Sequence, residues 1–70
     1  MFAESSMTAR IRRFERELER FDQEESYMDY AERRRARARL SSEYCTLADY
    51  GYEPSDPMVQ DYITAARLDR

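Results

Sequence analysis

The first fifty residues hold no glycine and no proline; the single glycine is Gly51 and the two prolines are Pro54 and Pro57. A chain so poor in backbone breakers cannot make the many tight turns an all-β fold needs. An all-α protein is therefore expected, and the large apolar residues say where its helices run. Met7, Ile11, Phe14, Leu18 and Phe21 follow spacings of 4, 3, 4 and 3, which places them on one stripe of an amphipathic helix. Ser5 or Ser6 can cap its start by accepting from the first free backbone amides. Arg13 with Glu17 and Arg20 with Glu24 stand four apart on the polar surface, each pair adding about 0.2–0.5 kcal/mol. The stripe reads as core, with a coiled-coil seam or a partner groove as alternatives.

The seam can continue to Met28 and then loses its register. Leu40, Tyr44 and Leu47 lie on a different face, so the chain is expected to reverse near Asp22-Gln23-Glu24-Glu25-Ser26. Ser26 followed by Asp29 resembles a capping box that begins a new helix. A continuous bent helix stays open, because no glycine or proline interrupts this stretch. The second helix, roughly 27–49, has two unlike faces: Ala36, Leu40, Tyr44 and Leu47 on one, Tyr27, Ala31, Ala38 and Cys45 on the other. Gly51 is placed to end it in the left-handed conformation. Asp56 as N-cap with Pro57 at the first helical position marks a third start, and Met58, Val59, Tyr62, Ile63 and Ala66 form that helix's apolar face. The reading is a single helical domain over residues 1–70, a helical hairpin of two long helices plus a short C-terminal helix, and dimeric.

Dimerisation enters through size. A 70-residue chain buries only about 60% of the surface it exposes when unfolded, and such a core rarely supplies more than about 3–5 kcal/mol. Cys45 has no second cysteine to bond. The chain has no histidine, and a lone cysteine does not make a zinc site, so no metal and no cofactor is expected. A second subunit is the remaining supplement. The interface is expected on Ala31, Ala38 and Cys45, small residues seven apart that let two helices approach closely.

All 12 basic residues are arginine and none is lysine, which points to a GC-rich coding bias, as in a high-GC bacterium or one of its phages. No apolar run approaches the roughly 20 residues of a membrane span. The start, Met1-Phe2-Ala3-Glu4, lacks the basic and apolar regions of a signal peptide. A cytoplasmic protein without membrane attachment is expected.

Catalysis has little to work with. There is no histidine, lysine or glycine-rich phosphate loop, and Cys45 has no histidine to activate it. Glu15 and Glu19 sit at helical spacing, but Arg12, Arg16 and Arg20 surround them as solvated ion pairs would. The cluster Arg33-Arg34-Arg35-Ala36-Arg37-Ala38-Arg39 is the best argument for nucleic acid, since arginine binds phosphate bidentately and stacks on bases. Asp29, Glu32 and Glu43 interleave with it, however, and the whole chain carries −3. Affinity for DNA depends on neutralising many phosphates, so both features weaken that reading. Tyrosine and arginine are the residue types enriched at protein–protein hot spots. A partner surface is therefore expected on Arg33, Arg37, Tyr44, Tyr50 and Tyr52. The expected function is a non-enzymatic protein-binding module, an inhibitor or adaptor of the kind phages and mobile elements encode. A small nucleic-acid-associated regulator using Arg33–Arg39, and a structural subunit of a larger assembly, are the alternatives.

Overall fold

The computed structural model describes residues 6–68. They form three helices, α1 (Ser6–Glu24), α2 (Tyr30–Asp49) and α3 (Pro57–Ala65), with a single 3-10 turn at Glu25–Tyr27. There is no strand among the described residues, so the chain is all-α.

The apolar stripe of α1 faces inward. Phe14, Leu18 and Phe21 are buried, and Met7 and Ile11 pack against the same core. The bulky face of α2 supplies Leu40 and Leu47 from within the core, with Ala36 and Tyr44 at its edge. From α3 come Val59 and Ile63, followed by Ala66 and Leu68 beyond its last turn. Each fully buried Phe, Leu or Ile contributes about 1.5–3 kcal/mol relative to exposure, so these few side chains hold the molecule together. α1 touches both other helices and the 3-10 turn. Contacts join the start of α1 to the end of α2, as Arg10 meets Glu43, and Glu25 beyond α1 to the early part of α2, as Glu25 meets Arg37.

Two details differ from the sequence expectation. α2 begins at Tyr30, not 27, because Ser26 is taken up in the 3-10 turn and the cap is Asp29. The Asp29 Oδ1 accepts from the Glu32 backbone N–H at 2.8 Å, a bond that holds the Asp29 carboxyl below its usual pKa. Met58 points outward: as the residue after Pro57 it sits in the first turn, where its backbone N–H bonds to the Asp56 carboxylate. Ser6 is already helical, and Ser5 lies outside the described residues. Arg20 and Glu24 do pair, at 3.1 Å, whereas Arg13 and Glu17 do not.

α2 and α3 end in the same way. In α2 the Gly51 N–H bonds to the Ala48 carbonyl and the Tyr52 N–H to the Leu47 carbonyl; in α3 the Arg67 N–H bonds to Thr64 and the Leu68 N–H to Ile63. Both are Schellman motifs, which require a left-handed residue after the cap. α2 uses Gly51 at φ 92, while α3 uses Arg67 at φ 59. A side chain in that conformation costs about 1–2 kcal/mol.

Candidate partner-binding surface

The five residues expected to meet a partner fall into two groups at opposite ends of α2. Near its C-terminus, Tyr44 and Tyr52 are half-buried and surround Phe14. The Phe14 and Tyr44 rings are nearly parallel, with centroids 6.0 Å apart, and Tyr52 meets both edge-on. The Tyr52 hydroxyl donates to Glu15 Oε2 at 2.6 Å. Burial first, then that bond to a carboxylate, raises the Tyr52 pKa above its ordinary value. Beside this cluster the Arg10 fork grips Glu43, Nε to Oε1 at 2.6 Å and Nη2 to Oε2 at 3.2 Å. The bonds from Arg10 hold the Glu43 carboxyl below its usual pKa, and the same contact raises that of Arg10. Tyr50 stands apart, 68% exposed.

The other group lies where the 3-10 turn, the first turns of α2 and the end of α3 meet. Arg33 and Arg37, one turn apart on α2, line a cleft of about 610 Å³ together with Arg34, Tyr30, Glu25 and Arg67. Four arginines thus face one carboxylate. Among the described residues Arg33, Arg34 and Arg67 form no ion pair. Arg37 reaches Glu25 Oε1 through Nη2 at 3.5 Å, a long contact for a charged pair. Its Nε is buried without any acceptor, a position that costs about 1–3 kcal/mol when nothing fills it. Tyr30 is 70% exposed at the rim.

Arg34, Arg67, Glu25 and Tyr30 were not among the expected partner residues. Arg34 was visible as part of the arginine run; Arg67 was not, because only the fold brings the end of α3 to this place. Ala31, Ala38 and Cys45 are all exposed on the outer side of α2. No three of His, Cys, Asp and Glu among the described residues come together as a metal site, and no described helix is long and apolar enough to cross a membrane.

Comparison with known proteins finds no matching family, no similar curated protein and no similar solved structure.

Proposed function

We propose that this chain is a non-enzymatic protein-binding module, an inhibitor or adaptor that acts by covering a surface of its partner. The observation that carries the reading is the convergence of three unpaired guanidinium groups, a half-satisfied fourth and an exposed tyrosine on one cleft. Arginine and tyrosine dominate hot spots because each combines a large contact area with hydrogen bonding. The proposed surface runs along α2 from Arg33 and Arg37 to Tyr50 and the outer edges of Tyr44 and Tyr52. Arg33 to Tyr50 spans about 25 Å at 1.5 Å per residue, within the reach of one standard interface of about 800 Å² per partner. In this reading α1 and α2 are the arms of a helical hairpin that presents that surface. A second copy pairs through Ala31, Ala38 and Cys45, and the protein works in the cytoplasm, that of a host cell if a phage encodes it.

The nucleic-acid reading draws on the same cleft but has less support. Asp29 and Glu32 stand at the start of α2 beside it, and a net charge of −3 opposes a long polyanion. Affinity capture from lysate of the source organism, comparing wild type with the Arg33→Ala/Arg37→Ala variant, tests the function. A partner retained by wild type and lost by the folded variant is expected, since truncating a hot spot costs about 2 kcal/mol or more. Sub-micromolar binding to duplex DNA in a gel shift at about 150 mM salt would favour the nucleic-acid reading instead.

A further inference from the structure

Two charged clefts flank α2, and their contents differ. One is lined by Arg10, Arg13 and Arg39 against Glu17 and Glu43, and its central pair is closed by two short bonds. The other sets Arg33, Arg34, Arg37 and Arg67 against Glu25 alone, and its single ion pair is one long contact. The first is left with one positive charge and the second with three. The Arg10–Glu43 pair shows how a carboxylate on this protein satisfies an arginine: one oxygen on Nε, the other on Nη2. In the second cleft the Nε of Arg37 is buried and has no acceptor, so that fork is half used.

We propose that this cleft seats an acidic peptide segment of the partner protein, with a partner carboxylate taking both positions on the Arg37 fork once Glu25 has moved aside and uncovered the buried Nε. The proposal rests on the binding-module reading and names the chemistry of its partner. Glu25 then acts as a placeholder that holds Arg37 in the free protein and yields to a better-placed carboxylate. Arg33, Arg34 and Arg67 receive neighbouring acidic side chains, and the Tyr30 ring covers their aliphatic stems. A cleft of about 610 Å³ lies within the size range of sites that enclose small ligands, enough for a few side chains. Arg67 belongs to this site for a conformational reason as well: its left-handed backbone would suit glycine, yet the position carries a guanidinium at the cleft edge. Strained residues of this kind cluster at ligand-binding sites. A short acidic segment fits the electrostatics better than nucleic acid does, because four arginines match a few carboxylates while the surrounding acids repel a longer polyanion.

The test is nitrogen–proton NMR of the uniformly labelled protein, following the arginine Nε–Hε signals during titration with hexaglutamate at about 50 mM salt. Saturable shifts are expected at Arg33, Arg34, Arg37 and Arg67, with Arg10 and Arg20 unmoved. Affinity falls about tenfold in Arg34→Ala/Arg67→Ala and rises in Glu25→Gln; these side chains are outside the core, so the variants fold, which their amide spectra verify. Failure to saturate, equal movement at Arg10, or tighter binding of inorganic phosphate or a hexathymidine strand at the same arginines overturns the proposal. An unchanged affinity in Glu25→Gln overturns the placeholder role. A captured partner held equally by wild type and Arg34→Ala/Arg67→Ala also overturns it, while leaving the binding-module reading in place.

Discussion

The two ends of α2 are built from the same residue types and treat them in opposite ways. At the aromatic end the polar groups flanking the Phe14 ring cluster are tied down: Tyr52 bonds Glu15, Arg10 grips Glu43, and the helix stops on Gly51 without strain. At the arginine end Arg33, Arg34 and Arg67 stand unpaired, Arg37 is half satisfied, and α3 stops on a left-handed arginine. A protein with so small a core can spend little on unsatisfied groups. Concentrating them in one place while the other end closes on itself separates the end that holds the fold from the end with donors left over for the partner we propose.

The largest expected effect tests that separation. Phe14→Ala removes the ring on which Tyr44 and Tyr52 pack and costs about 3–5 kcal/mol, as much as a core of this size supplies. Circular dichroism should find that variant largely unfolded at 25 °C. Arg33→Ala and Arg34→Ala should stay within about 0.5 kcal/mol of wild type. A comparable loss at the arginine end would mean that it, too, holds the fold.

Tyr52→Phe comes next. It strands Glu15 and should cost about 1.5 kcal/mol, the low end for a bond to a charged group because the site is only half-buried. It should also change the alkaline limb. The folded Tyr52 pKa lies above the unfolded value of about 10, so its contribution is intact below that pH and fades as pH rises beyond it. Tyr62, raised chiefly by partial burial, acts in the same direction. Urea midpoints between pH 9 and 11.5 should fall for wild type and fall less for Tyr52→Phe. Parallel curves would show that the Tyr52 bond is not what the alkaline limb reports.

The helix ends give the smaller, opposite pair. A Cβ at Gly51 meets nothing within 4 Å, so Gly51→Ala costs only the left-handed conformation, about 1 kcal/mol. Arg67→Gly relieves the same conformation and should gain about as much, less the unfolded-state entropy that glycine adds. Chemical denaturation reads both; destabilisation by Arg67→Gly would mean that the arginine makes an unseen contribution to the fold.

Much of the aromatic end was legible in the sequence. The stripe from Met7 to Phe21, the Leu40–Leu47 face, Gly51 and the Asp56-Pro57 start are local patterns, each set by a helix's period or its termini. The arginine end was legible only in part, because the cleft joins the run on α2 to Arg67, thirty or more positions away. The arginine run showed Arg33, Arg34 and Arg37, and the local clue to Arg67 is the apolar pair Ile63 and Leu68, five apart, which a Schellman motif docks together with Arg67 in the left-handed region between them. The tyrosines were misgrouped for a similar reason. Tyr44 and Tyr52 share a neighbourhood with Tyr50 in sequence, but only the first two reach Phe14, one from the inner face of α2 and the other from its Schellman turn.

The separation of fold from binding is tested most directly by the thermal stability of wild type and Arg67→Gly, each with and without millimolar hexaglutamate. Arg67→Gly should melt higher than wild type in buffer yet gain less from the peptide, because it has lost a ligand for the acid while shedding backbone strain. An Arg67→Gly protein that melts lower, or that gains as much from hexaglutamate as wild type does, would contradict the account.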